Sequence, residues 1–250
     1  MKTIVNQDFS NRRAIIRVDF NVPIDDELRV TDSTRIIAAK ETIEYILNQG
    51  GSCVLISHLG RPNGKDPKLS LNHILSKVEK ILQVPVAFFK DCIGAEAEQA
   101  TASLPPRSVI LMENLRFYKE EIDGDLNFAK GLSKLGDCYV NDAFGTAHRA
   151  HASTTIMAQF FKEDKFFGRL LEKEVNAIEK VMKTGEQPVL AILGGAKVSS
   201  KITIIENMLD KIDHLVIGGG MVYTFSKAQG GRIGQSICED DYCNYALELL

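Results

Sequence analysis

Along the chain, short runs of β-branched and aliphatic residues alternate with longer stretches whose apolar side chains recur every three or four positions. Residues 14–18 predict a first strand. Asp32 or Ser33 is then placed to cap a helix with the apolar stripe Ile36, Ile37, Ile43, Ile46 and Leu47. Residues 54–57 predict the next strand, and Ser70 a cap for a helix carrying Leu71, Ile74, Leu75, Val78 and Leu82 at helical spacing. Strands are predicted at 86–88, 109–112 and 138–140, with helical stretches near 94–102 and 127–135 between them. A long amphipathic helix over 169–182 follows, ending at Lys183-Thr184-Gly185 with Pro188 just beyond. The alternation then restarts. Residues 189–193 and 214–217 predict strands, 198–209 and 221–228 predict helices, and the triple glycine 218–220 lies between them.

This order predicts an α/β fold: a doubly wound, mostly parallel sheet with helices on both faces, followed by the incomplete start of a second α/β domain. Residues 242–250 are helical in pattern and stop without a C-cap glycine or a polar tail, so a cut rather than a natural end is expected there.

Composition changes the picture only by exclusion. Thirty basic residues against thirty-three acidic ones leave a net charge of −3, which argues against a nucleic-acid or anionic-membrane surface and requires any anion site to be local. No apolar run approaches the roughly 18 residues of a membrane span, and the first residues lack the apolar core of a secretion signal; a cytoplasmic location is expected. The five cysteines form no CxxC pair and read as reduced, small core residues.

The chemistry-bearing residues concentrate after strands. Asp19 and Asn21 follow the first strand, His58 and Arg61 the second, Arg116 the strand ending at Met112, and His148 and Arg149 the strand ending at Val140. In open parallel sheets the carboxyl edge is where ligands bind. Three arginines and a histidine there, with Arg35 near the start of the first helix, imply a small and highly anionic ligand. Asp19 suits either a substrate hydroxyl or the bracing of an arginine. His148 and His151 are three residues apart, but no third ligand stands at sensible spacing, and no metal site is expected. Later in the chain, VLAILGGAKVSSK (189–201) joins an apolar strand to two glycines and to Lys197 and Lys201, spaced for one helical face, as a phosphate-binding helix start would. The triple-glycine turn ends in Tyr223 rather than Gly, so a dinucleotide fingerprint is not met.

Seven segments in order, RVDFNVP (17–23), DSTRI (32–36), SHLGRP (57–62), ENLRF (113–117), NDAFGTAHRAHAS (141–153), LGGAKVSSKI (193–202) and IGGGM (217–221), together resemble phosphoglycerate kinases. The resemblance implies a hinge-closing, usually monomeric two-domain kinase that transfers phosphate reversibly between ATP and the carboxylate of 3-phosphoglycerate, giving 1,3-bisphosphoglycerate. It implies a 3-phosphoglycerate domain over 1–167, an interdomain helix over 168–185 and a partial nucleotide-binding domain over 186–250. Asp19, Phe20, Asn21, Arg35, His58, Leu59, Gly60, Arg61, Arg116 and Arg149 would bind the substrate. Gly195, Ala196, Lys201, Gly219 and Gly220 would bind ATP or ADP, which carries Mg2+. Arg35 and Lys197 would act on the transferring phosphoryl group. The family's chains continue past residue 250, through the segments that contact the ribose and the magnesium. Turnover by these residues alone is therefore expected to be negligible. The alternative reading is a non-catalytic anion-binding module that keeps only the substrate cleft.

Overall fold

The computed structural model describes residues 2–184 and 187–250. The chain divides into two compact units, Met1–Glu174 and Val175–Leu250. The predicted helix stop at Gly185 and the predicted boundary at 185/186 lie outside the described residues.

In unit 1, β1 (Arg13–Val18), β2 (Ser52–Ile56), β3 (Val86–Phe89), β4 (Val109–Met112), β5 (Cys138–Asp142) and β6 (Lys165–Phe167) form one parallel sheet in the order β3-β4-β2-β1-β5-β6. Its helices are α1 (Thr34–Asn48), α2 (Leu75–Leu82), α3 (Ala95–Ala102), α4 (Lys119–Asp123) and α5 (Leu126–Ser133). Alternation along the strands fixes which face each residue feeds. Ile16, Leu55, Leu111 and Val140 pack with Ile43 and Ile46 of α1 and Val78 of α2 in one core. Ile15, Val54, Ile110 and Tyr139 pack with Ala97 of α3 and Phe128 and Leu132 of α5 in another. Both faces are thus covered, and the strands read as near-continuous apolar runs.

Local chemistry trims several of the expected boundaries. Asp32 rather than Ser33 serves the start of α1, its Oδ1 accepting from Thr34 N (2.8 Å). Ile37, counted in the apolar stripe, is exposed, because the stripe that faces the sheet is Ile36, Ala39, Ile43 and Ile46. Ser70 caps a 3₁₀ turn, Leu71–Ile74, and the α-helix begins only at Leu75. The Glu113 carboxylate, which binds Ser70 Oγ (2.7 Å) and Leu71 N (2.9 Å), ties down that first turn. Of the cysteines, Cys53, Cys92 and Cys138 are buried, while Cys238 and Cys243 are only half-buried in unit 2.

The helix α6 (Arg169–Thr184) leaves the sheet directly after β6. Asp142 at the end of β5 accepts from Leu170 N (2.9 Å) and Leu171 N (3.2 Å), satisfying amide groups that a helix start leaves unpaired. Gly168 stands against that carboxylate: a Cβ there would lie 2.3 Å from Asp142 Oδ1.

In unit 2, β7 (Leu190–Gly194) and β8 (His214–Gly218) pair in parallel, with α7 (Ile202–Leu209), α8 (Val222–Ala228) and α9 (Cys243–Leu249). Val198, Ile205, Met221, Phe225 and Ala246 form its core. The strand residues Leu190, Ile192 and Val216 are exposed. Among the described residues no helix is long and apolar enough to cross a membrane.

Candidate functional site

Parallel strands deliver their following loops to one edge, so four separate loops of unit 1 meet beyond the carboxyl ends of β1, β2, β4 and β5. There they enclose a cavity of about 220 Å³ lined by Asp19, Asn21, Arg35, His58, Arg61, Arg116, Gly145, Thr146 and Arg149. Seven of these were expected from the sequence. Four guanidiniums face one carboxylate, so the lining is strongly positive in a chain that is negative overall. Arg61, Arg116 and Arg149 also line a second cavity of about 260 Å³ with Pro62, Ile122 and His151. A larger hollow, about 300 Å³ beside β6, is mainly apolar and offers no comparable set of charges.

The loop after β2 is held by polar groups rather than by packing alone. Asn21 Oδ1 accepts from Gly60 N (2.8 Å), and Arg116 Nη1 donates to Gly60 O (2.6 Å). Gly60 has φ +64°, a conformation that glycine adopts without strain. Beneath it, Asn114 Oδ1 accepts from Leu59 N (3.1 Å) and Arg116 N (3.0 Å), while its Nδ2 donates to Leu59 O and Leu69 O (both 2.8 Å). Asn114 is fully buried, and these four bonds use its whole amide. Phe20 and Leu59 are buried and do not line the cavity, nor does Gly60, whose peptide groups are held by the lining residues Asn21 and Arg116.

Charge is arranged as tightly as shape. Arg35 Nη1 contacts Asp19 Oδ2 at 2.5 Å, so Asp19 braces an arginine here. Burial lowers the Arg116 guanidinium below its usual range, helped by the nearby charges of Arg149, Arg17 and Arg61. Burial likewise depresses His58, with Arg17, Arg116, Arg35 and Arg149 adding to the effect, to about 2; the ring is neutral at physiological pH. Asp19 Oδ1 lies 4.0 Å from His58 Nδ1, beyond hydrogen-bond reach. A crowd of like charges with few counter-ions is relieved by a multivalent anion.

Gly145 and Thr146 were missed by sequence reasoning. They belong to the 3₁₀ turn Phe144–Thr146 after β5, and Arg149 N donates to Thr146 O (3.0 Å). A Cβ on Gly145 would lie 3.0 Å from Asp19 Oδ2, which ties this turn to the loop after β1. The available signal was the stretch AFGTA, small but for Phe144, between a strand and His148-Arg149. His148 Nε2 lies 3.3 Å from Arg149 Nε, and His151 Nδ1 is 4.0 Å from a Glu121 already bound to Ser153.

In unit 2 the loops after β7 and β8 cross. Met221 N donates to Gly195 O (2.9 Å), and a Cβ on Gly219, whose φ is +72°, would lie 2.8 Å from that oxygen. Gly195, Ala196, Gly219 and Gly220 are therefore neighbours. The expected single helix from residue 198 is instead a 3₁₀ turn, Ser199–Lys201, followed by α7. Glu239 draws that turn in, its carboxylate accepting from Ser199 N (3.0 Å) and Ser199 Oγ (2.6 Å). Lys197 precedes the turn and is exposed, while Lys201 closes it and is half-buried, so the two do not share a helical face.

The Phosphoglycerate kinase family profile matches residues 4–250. The phosphoglycerate kinase of Porphyromonas gingivalis is 48% identical over 272 residues, covering 99% of this chain and 65% of that protein. That of Moorella thermoacetica is 49% identical over 249 residues, covering 99% and 63%. Among solved structures, phosphoglycerate kinase from Coxiella burnetii superposes with a TM-score of 0.83 at 36% identity, over 99% of this chain and 62% of that one. The Pyrococcus horikoshii enzyme gives 0.85 at 29% identity, over 100% and 65%. The chain thus spans a little under two thirds of the length of these relatives. A family match over nearly the whole chain, with close to half its residues identical to those of curated relatives, makes this chain a member of the phosphoglycerate kinase family.

Proposed function

We propose that this chain supplies the acceptor cavity and a nucleotide-phosphate loop for reversible phosphoryl transfer between ATP and the carboxylate of 3-phosphoglycerate. The observation that carries this reading is the convergence of Arg35, Arg61, Arg116 and Arg149 against the single carboxylate of Asp19 in one small cavity. Planar guanidiniums suit bidentate capture of phosphate and carboxylate, and 3-phosphoglycerate carries one of each. His58, Arg61, Arg116 and Arg149 take the phosphate end. Arg35 takes the carboxyl end, where charge accumulates on the transferring group, and Asp19 and Asn21 face the glycerate carbons.

In unit 2 the glycines of the crossed loops allow a close approach to the backbone, and Lys201, whose Cε would lie 3.4 Å from a Cβ on Gly195, binds nucleotide phosphates beside them. Lys197, exposed at the mouth of the loop, neutralises the phosphoryl group in transit. Phosphoryl transfer asks for positioning and charge neutralisation more than covalent chemistry, and these residue types provide both. Magnesium enters as part of the nucleotide substrate. It prefers oxygen ligands, whereas the one close-set cluster of potential ligands among the described residues, Cys238, Asp240 and Cys243, presents two thiols.

The test is a calorimetric titration of the 250-residue chain with 3-phosphoglycerate at low and moderate salt, beside Arg149→Ala. Saturable binding that weakens with salt and falls at least about tenfold in the variant is expected, since a lost charge-assisted contact is worth roughly 1.5–3 kcal/mol. A folded chain that binds no 3-phosphoglycerate, or equal binding by the variant, would refute the assignment.

A further inference from the structure

Arg17 is the one arginine of this region that does not line the cavity. It sits on β1 inside the apolar run AIIRV and is 1% exposed. A charged side chain is rarely so buried unless each of its donors is engaged. Its Nη1 donates to Val18 O, its Nε to Ser153 Oγ (2.9 Å), and its Nη2 lies 3.1 Å from His58 Nδ1. Ser153 passes the interaction on. Its hydroxyl donates to Glu121 Oε1 (2.5 Å) and its N–H to Glu121 Oε2 (2.9 Å), so the buried carboxylate balances the buried guanidinium through one serine.

The protonation state of His58 follows from this donor inventory. A guanidinium has five N–H groups and no acceptor, so the nitrogen facing it must offer a lone pair. Nδ1 is therefore unprotonated, and the single proton of the neutral ring stands on Nε2. That nitrogen makes no hydrogen bond among the described residues, and the ring lines the cavity. A proton on Nδ1 would point one N–H at another, with Arg17, Arg35, Arg116 and Arg149 around the ring and the nearby carboxylate of Asp19 itself paired to Arg35.

We propose that Arg17 is a positioning residue that fixes His58 as the neutral Nε2–H tautomer, and so makes it a one-proton donor to a ligand oxyanion rather than a pH-dependent cation. The tautomer assignment stands on the geometry alone, while the identity of the oxyanion rests on the phosphoglycerate reading above. Burial of the ring, which pushes its pKa to about 2, acts in the same direction. The functional consequence is a phosphate contact that does not switch as pH moves through the usual histidine range.

The experiment is long-range proton–nitrogen NMR of the whole chain labelled at its five histidines, with the His58 signal assigned by His58→Gln. In the unsubstituted protein, the Nε2–H signature is expected to persist from about pH 7.5 to about pH 5.5, a span over which an ordinary histidine goes from about one tenth to about nine tenths protonated. Arg17→Met should give mixed tautomers of a ring that stays neutral over that span, because burial and the charges of Arg116, Arg35 and Arg149 still depress it. Arg17→Gln, whose amide still donates, should restore the tautomer. An Nδ1–H or imidazolium signal for His58 in the unsubstituted protein overturns the proposal, and that spectrum does not depend on how any variant folds. So does a folded Arg17→Met protein whose His58 is unchanged. On adding 3-phosphoglycerate, the Nε2–H resonance should shift. If it stays still while the tautomer is as assigned, the Arg17 lock stands and the donor role toward this ligand is overturned.

Discussion

Replacing Asp142 by Asn is expected to stabilise unit 1 at neutral pH and to change nothing below about pH 4. Two effects compete at this carboxylate. The start of α6 favours a negative charge through the Leu170 and Leu171 amides and the helix dipole. Complete burial opposes it, and Asp142 Oδ2 has no hydrogen-bond partner. Burial wins: despite hydrogen bonds from Thr42, Leu171 and Leu170, the carboxyl is raised from 3.8 to about 6. The folded chain therefore keeps a proton that the unfolded chain releases. Its stabilising contribution is fully present below pH 3.8 and is lost as pH rises through about 6. About two pKa units correspond to about 3 kcal/mol. Asn keeps an acceptor for α6 and removes the charge, and its amide nitrogen faces the place of the unpartnered Oδ2, which takes back part of the gain. A net gain of about 1–3 kcal/mol is expected above pH 6, falling to about zero near pH 4. The assay is urea unfolding of both proteins across pH, followed by NMR signals of β1 and β5. Paired comparison cancels the opposite slope contributed by His58, whose depressed pKa costs stability as pH falls below 6.5. A pH-independent difference, or a destabilisation that grows with pH, would show that the helix start and not burial governs this carboxylate.

Two further substitutions test the supports of the loops. Asn114→Ala strands three buried backbone partners, Leu59 N, Leu59 O and Arg116 N, and the half-buried Leu69 O, and at about 1–3 kcal/mol for each buried group left unpaired it should cost several kcal/mol in urea unfolding; a loss under about 1 kcal/mol would mean that water replaces the amide. Gly219→Ala forces a side chain at φ +72° to within 2.9 Å of Gly195 N and should destabilise unit 2 by at least about 2 kcal/mol, read as lost amide-exchange protection in β7 and β8; unchanged protection would show that the loop crossing is not tight.

The sheet was legible because buried parallel strands are written as continuous apolar runs, and each long run of unit 1 became a strand within a residue or two of its expected place. β6 was not legible: three residues, Lys165–Phe167, pair with β5 only because the core below places them there. The charged lining of the cavity was legible while Gly145 and Thr146 were not, since an arginine or histidine just after an apolar run projects at the carboxyl edge whatever the details of the loop. Asn114, Glu121 and Ser153 were quoted or passed over without a role because a buried polar residue announces nothing until its partners are known. Glu121 and Ser153 stand 32 residues apart, and Arg17 and Ser153 stand 136 apart. The 3₁₀ turn at Ser199–Lys201 was missed for the same reason, as the Glu239 carboxylate that tightens it comes 40 residues later.

The buried charges share a logic that stability alone does not supply. Buried opposite charges such as Arg17 and Glu121, linked here through Ser153, lose hydration on both sides, and well-packed apolar replacements are often no less stable. What an apolar pair cannot do is present an N–H to His58 Nδ1. Asp142 follows the same pattern, since ionised it weakens the fold at neutral pH, yet it holds the first amides of α6 at the end of the strand whose following loop carries Gly145, Thr146 and Arg149. In both places a polar group costs folding energy and in return fixes the direction of a donor or the start of a helix. Of the exposed arginines of the cavity, Arg35 is braced by Asp19 and Arg61 stands in solvent, which screens both until a ligand arrives. The buried polar framework is accordingly set by what the cavity must hold still, and the apolar core around it by what the sheet must bury.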